Sequence, residues 1–235
     1  MASGLSEQTL STFVAGLSEA RSQLALPWDR GRLVVVDFET TGLGESDEII
    51  SFGAVHIDAG RIVGRSSIYG LVRPVRPVSA ESVEVHSIRA RDLEGAPSLP
   101  EALDPLLAAM VGRVLVAHAA WIETAFLDRA LAARGTAVDV PTVDTAELAW
   151  GHFGRARDAA RAPALEAVAE RLGLPVFTPH HALGDAWTTA VVLLALVGHR
   201  PQNQPVLLRD LVTERRRARV QGGARWWRVG RRRAH

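Results

Sequence analysis

Apolar residues recur at helical spacing through Leu5, Leu10, Phe13, Val14, Leu17 and Leu24, which predicts an amphipathic helical leader over residues 1–30 ending near Pro27. The pattern then changes. Arg32–Phe38 (RLVVVDF) is a short β-branched run of the kind that forms a buried central strand. Ile49–Ile57 alternates as a half-buried strand, and Asp58-Ala59-Gly60 supplies a tight turn into a further strand over Arg61–Val72. A Pro-rich connection with Pro74 and Pro77 follows. Ser98 reads as a helix cap, because Pro100 comes early in the next segment and Glu101 lies three residues past the cap; this helix runs through Met110.

Val111–Ala117 then reads as a strand, Trp121–Arg134 as a helix closed by Gly135, and Pro141–Val143 as a short strand. Two helices complete the pattern, over Ala162–Leu172 (ended by Gly173) and Ala182–Val197. A strand hairpin followed by alternating strands and helices predicts an α/β fold, a five-stranded mixed sheet flanked by helices on both faces. Three regions result: a helical N-terminal extension over 1–30, a central domain over 31–200 and an Arg-rich C-terminal tail over 201–235.

Composition narrows the chemistry. The 235 residues are 47% hydrophobic and 23% charged, an ordinary globular mixture. The longest apolar run, around Ala190–Val197, is far shorter than the roughly 18–20 residues of a membrane span. The first 25 residues lack a basic stretch followed by an apolar core, so no secretory signal is expected and the cytoplasm is the expected compartment. There is no cysteine, which excludes disulfides and thiolate zinc sites and leaves oxygen and imidazole as metal ligands. From Arg209 to His235 ten Arg face two acids, Asp210 and Glu214, a local net of +8. With an overall charge of +1, the rest of the chain carries −7. A basic strip on an acidic body suits an enzyme acting on nucleic acid, because phosphates reward clustered cations. The tail, with Gly222-Gly223 among its Arg clusters, is expected to be weakly ordered.

Three acidic segments carry candidate chemistry. In Asp37-Phe38-Glu39-Thr40-Thr41-Gly42, strand periodicity puts Asp37 and Glu39 on one face. Adjacent carboxylates repel unless a cation lies between them. A charged strand end facing water is the plain alternative. Glu123 falls in the first turn of a helix entered through Val116-Ala117-His118, where the helix dipole alone would favour an acid. His180-His181-Ala182-Leu183-Gly184-Asp185 spans a helix start, so an imidazole and a carboxylate can meet at one locus. A loop histidine pair and a solvent-facing Asp are the alternative there.

Taken together, these segments resemble the DEDDh 3′–5′ exonucleases, the DnaQ-like proofreading and RNA-trimming group with a ribonuclease-H-like fold. The resemblance covers about residues 31–198: the Asp-x-Glu-Thr-Thr-Gly strand end, the strand–His–helix segment and the closing His-x4-Asp. Val85-His86-Ser87-Ile88, Val143-Asp144-Thr145 and Leu165-x6-Leu172-Gly173-Leu174 add support, and the order of the fragments is more specific than any one of them. Members usually carry Asp where this chain has Glu123, preceded by His-Asn and an aromatic; here Ala119 and Ile122 stand in those places.

The resemblance implies that Asp37, Glu39 and Asp185 hold a first Mg²⁺ or Mn²⁺ and that Asp37 bridges to a second ion retained by Glu123. Two ions about 3.5–4 Å apart stabilise both the entering and the leaving oxygen of a displacement at phosphorus. His180 is implied as general base, the x4 spacing selecting it over His181, which is left as a phosphate contact. Thr40, Thr41 and Leu43 would line the pocket for the terminal nucleotide, and His86 would cover the sugar or phosphate. The implied partners are 3′ ends of single-stranded DNA or RNA and a polymerase or other nucleic-acid enzyme. A catalytically degenerate binding module is the competing reading. For Trp121, Trp187 and the Trp226-Trp227 pair, base stacking and packing both stay open, and His56 reads as an ordinary strand residue.

Overall fold

The computed structural model describes residues 6–154, 162–200 and 204–213. Its sheet has the strand order β3-β2-β1-β4-β5, with β1 Arg32–Thr40, β2 Ile49–Asp58, β3 Arg61–Leu71, β4 Val114–Ala117 and β5 Thr142–Asp144. β2 runs antiparallel to both β1 and β3, whereas β1, β4 and β5 are mutually parallel. The β2–β3 hairpin turns through Ala59 and Gly60 at φ +48° and +70°, the left-handed pair that matches strand twist in a two-residue turn.

Alternation along β1 divides the core. Val34, Val36 and Phe38 face one layer with α1 (Glu7–Ser22), α4 (Leu99–Met110) and α5 (Trp121–Ala132), meeting Phe13, Leu107 and Leu127. Leu33 and Val35 face the other, where α8 (Ala182–Gly198) contributes Ala186, Ala190 and Leu193. The mixed sheet flanked by helices on both faces is therefore the observed architecture. Within the described part of the leader, α1 is integral to it: Phe13 is buried in the first core. Residues 204–213, on the tail side of position 200, also pack inward, with Leu208 fully buried beside β1 and α8. The Trp226-Trp227 pair and most of the Arg clusters lie outside the described residues.

Several boundaries differ from the sequence pattern. Val111–Arg113 is a turn, because Gly112 takes φ +67° and ends α4 before β4 begins. The Ala162–Leu172 helix shortens to α7, Leu165–Arg171. Three helices were not read from the pattern: α2 (Ala80–His86), α3 (Ala90–Leu93) and α6 (Thr145–Phe153). The first two are under three turns long. α6 buries only Thr145, Ala146 and Ala149, side chains too small to mark an apolar stripe, and is started by Asp144, whose carboxylate accepts from the Ala146 amide. The Ser98–Glu101 capping box forms as expected, at 2.8 Å from the Ser98 amide to the Glu101 carboxylate.

Candidate active site

Asp37 and Glu39 follow Leu33 and Val35 in parity, so they leave β1 on the face covered by α8. The approach of α8 depends on Gly53, which pairs with Asp37 across the β1–β2 ladder. A Cβ at Gly53 would lie 2.4 Å from the Ala182 carbonyl and from Leu183 Cα. The bare glycine thus lets the first turn of α8 rest on the strand and brings Asp185 down to the β1 acids. Asp37, Glu39 and Asp185 each present an oxygen within 4.8 Å of the others, the one such grouping among the described residues.

The segment before α8 is shaped by the same helix. Gly184 leaves room for the Phe177 and Thr178 carbonyls, which an added Cβ would meet at 2.3 and 2.5 Å. Phe177 donates its amide to Thr188 Oγ1 at 3.0 Å, and His180 donates its amide to Asp185 Oδ2 at 3.0 Å. Thr178 and His180 sit at φ +36° and +58°, a conformation that persists in non-glycine residues only when surroundings impose it. His180 and Asp185 are therefore placed by one turn. The neighbouring His181 stacks on Tyr69 of β3, ring centroids 4.4 Å apart and planes 22° apart.

Glu123 arrives from the opposite layer. It is 3% exposed in the first turn of α5, and β4 ends at Ala117, so it meets β1 beyond the last β1–β4 pairing at Val35 and Val116. The Phe38 backbone amide of β1 favours the charged form of its carboxyl. It stands outside the tight trio, and its Oε2 is buried without a partner, as is Asp185 Oδ1.

Proton binding shows how costly four bare acids are. Burial raises Asp37 well above the usual carboxylate range, with Glu123, Asp185, Glu39 and Glu166 adding repulsion. Burial pushes Glu39 up to about 8, helped by Asp185 and Glu166. Asp185 rises to about 7, from burial and then Glu166, against the His180 amide. Burial also raises Glu123, against its own amide and that of Phe38. A cation in place of the protons would remove both the repulsion and the orphaned oxygens, and an all-oxygen donor set suits a hard divalent ion.

Glu166 was not singled out in the sequence. It lies in the first turn of α7, its Oε1 3.9 Å from His180 Nε2, and its charge acts on Asp37, Glu39 and Asp185. Only the Leu165-x6-Leu172 segment pointed to that region, and nothing in its spacing marks the acid.

The pocket candidates divide. His86 is buried; its Nδ1 accepts the Ile88 amide at 3.0 Å, which makes Nε2 the protonated nitrogen, buried and without a partner. Burial, then the proximity of His180, lowers its pKa and keeps it neutral. Thr41 is buried and its hydroxyl is engaged by Asp47 at 2.9 Å, while Thr40 donates to the Gly42 carbonyl at 2.8 Å. The space above Gly42 is filled by the Asp47 carboxylate. Leu43 packs against the first core. Trp187 packs on the second core beside Phe177, Trp121 is 38% exposed at the start of α5, and His56 bonds the Ala109 carbonyl.

Comparison with known proteins gives a consistent result. Residues 34–193 match the sequence profile of the exonuclease family RNase_T. A PolC-type DNA polymerase III of Thermotoga petrophila is 37% identical over 172 residues, 72% of this chain and 12% of that protein. A DNA polymerase III subunit epsilon-like protein of Rhodobacter capsulatus is 38% identical over 175 residues, 73% of this chain and 24% of that protein. This chain thus spans a quarter or less of those relatives. The nuclease domain of 3′hExo, a DEDDh family member bound to rAMP, superposes with a TM-score of 0.61 at 18% identity, covering 79% of this chain and 97% of that one. Exonuclease X in complex with 5′-overhanging duplex DNA gives 0.56 at 23% identity, covering 76% and 98%. These two likenesses establish the ribonuclease-H-like fold.

Proposed function

Because the chain belongs to the DnaQ-like exonuclease family, we propose that it removes nucleotides one at a time from the 3′ ends of single-stranded DNA or RNA and releases nucleoside 5′-monophosphates. The observation that carries this reading is the trio of Asp37, Glu39 and Asp185 within 4.8 Å, with the His180 loop tied to the same carboxylate. Asp37, Glu39 and Asp185 would hold one Mg²⁺ or Mn²⁺, and Asp37 with Glu123 a second. Such ions supply positive charge to the reacting phosphate and acidify water.

The protein's own groups would do the rest. His180, exposed at its tip, takes the proton from the attacking water. His86 offers Nε2–H to a phosphate or sugar oxygen. Thr40 and Leu43 border the terminal nucleotide, while Thr41 sets the loop through Asp47. His181, held on Tyr69, borders the phosphate path.

We place the enzyme in the cytoplasm beside a polymerase, since the relatives that carry a matching segment are DNA polymerase III proteins. No helix among the described residues is long and apolar enough to cross a membrane.

The test uses 3′- and 5′-labelled DNA and RNA oligonucleotides with Mg²⁺ or Mn²⁺. Mononucleotide release from the 3′ end is expected, and its loss in Asp37→Ala and Asp185→Ala. Full activity in both variants refutes the reading. The position of Glu123 outside the trio favours one alternative, a degenerate module that binds nucleic acid without cutting. Calorimetry distinguishes them, because such a module takes up no Mn²⁺ at millimolar concentration.

A further inference from the structure

Asp144 ends β5 at 8% exposure, and both of its oxygens are spent on backbone amides. Oδ1 accepts from Ala119 at 3.0 Å and from Ala146 at 2.9 Å; Oδ2 accepts from Ala120 at 3.1 Å. Ala119 and Ala120 form the turn between β4 and α5, and that turn delivers Glu123 three residues later. It is unfavourable on its own: Ala119 takes φ +55°, and Ala120, the residue capping α5, has no side chain to bond the helix start.

A second tie holds the same turn. His118 Nε2 lies 2.7 Å from the Pro163 carbonyl, which makes Nε2 the donor and Nδ1 the acceptor of the Thr145 hydroxyl at 2.9 Å. Asp144 and Thr145 are adjacent, so the β5–α6 junction grips the β4–α5 turn at three consecutive residues, His118, Ala119 and Ala120.

Acceptor count explains why an acid stands there. Three amides converge on the side chain, and a carboxylate accepts through both oxygens, whereas an amide side chain accepts through one and presents N–H to the other donor. Asp144 is also the charge that repels Glu123 most strongly, so its place near that acid disfavours both unless the bonds it makes are needed.

From this geometry we infer that Asp144 is a positioning residue: it braces the Ala119–Ala120 turn and so sets the carboxylate of Glu123 against the end of β1, without itself ligating a metal. The inference rests on the reading that Glu123 helps to hold a second ion.

Titration calorimetry of the full chain with Mn²⁺, beside Mn²⁺-dependent turnover and thermal melting, tests it in Asp144→Asn, with Glu123→Gln as reference. The Asn variant is expected to keep the first Mn²⁺, to bind the second at least tenfold more weakly, and to need correspondingly more Mn²⁺ for half-maximal turnover. A purely structural role would lower the melting temperature and leave the ratio of the two affinities unchanged, and that result overturns the inference. If Glu123→Gln also leaves both affinities unchanged, the metal role of Glu123 is what fails. If Asp144→Asn does not fold, the same substitution is made with Ala119→Gly, which frees the left-handed turn. A folded double variant with a weakened second ion supports the brace; one that still fails to fold makes Asp144 a folding residue and overturns it.

Discussion

Gly53 of β2 lies directly under Leu183 of α8, with no room for a Cβ between strand and helix. Because Gly53 pairs with Asp37, this one close approach determines how near Asp185 comes to the β1 acids. Gly53→Ala must lift the first turn of α8. Overpacking of this kind costs about 1–3 kcal/mol, and a displacement near 1 Å costs on the order of 100-fold in turnover. Urea denaturation and oligonucleotide degradation, measured on the same preparation, check both; an active variant of unchanged stability would contradict the close packing.

Glu123→Asp installs the acid more usual in this family, yet it is expected to lower activity by about tenfold, the scale on which a misplaced supporting group weakens a metal site. The buried Glu123 carboxyl is favoured in its charged form by the Phe38 amide of β1, and one methylene less draws it back toward α5. Turnover against Mn²⁺ concentration measures the effect. Restored or improved turnover would mean that the longer side chain is not the fitted one.

Stability of the metal-free protein should fall as pH rises from about 4 to about 8. In that window unfolded carboxyls have ionised, whereas folded Asp185 and Glu39 hold protons up to about 7 and about 8. The folded chain therefore binds more protons, and ∂ΔG/∂pH is negative. Glu39→Gln should flatten this slope, as read from melting temperatures in EDTA. With saturating Mn²⁺ the gain from metal grows with pH, because a cation needs the deprotonated acids.

Ala119 sits at φ +55°, where a Cβ costs roughly 1–2 kcal/mol. Members of this family usually have Asn at that place, and Asn, like Gly, tolerates the left-handed region. Ala119→Gly and Ala119→Asn are each expected to stabilise the fold by about 1 kcal/mol, a few degrees in melting temperature. A loss of stability in both would show that the turn is not strained.

Glu166→Gln removes a negative charge that repels Asp37, Glu39 and Asp185. Two opposite effects are expected. Metal-free stability should rise by a few tenths of a kcal/mol, a small gain because the side chain is partly exposed. Mn²⁺ affinity should fall, because the cation loses part of the field that attracts it. Differential scanning fluorimetry with and without Mn²⁺ reads both.

Much of this was legible in order along the chain. The β-branched run of β1 with acids at alternate positions, the turn at Ala59-Gly60 and the Ser98–Glu101 cap all depend on neighbours within a few residues, and all form. α6 was missed because burial of small side chains leaves no periodic signal. Glu166 carried no local mark, and Asp144 stood out only within the Val143-Asp144-Thr145 fragment, with nothing to show its role: these roles come from partners 14 to 25 positions away, His180 and Ala119.

By itself, then, the sequence determined which side chains of β1 share a face, where Asp37 and Glu39 stand relative to each other, and that Ser98 begins a helix, since short-range backbone geometry fixes these. The tertiary structure alone decided that α8 rests on Gly53 and brings Asp185 to β1, that Glu123 enters from the opposite layer past the end of β4, and that Asp144 holds the turn before it. Those are matters of how closely two backbones can approach and of which buried amides need an acceptor. Neither is settled until the layers pack.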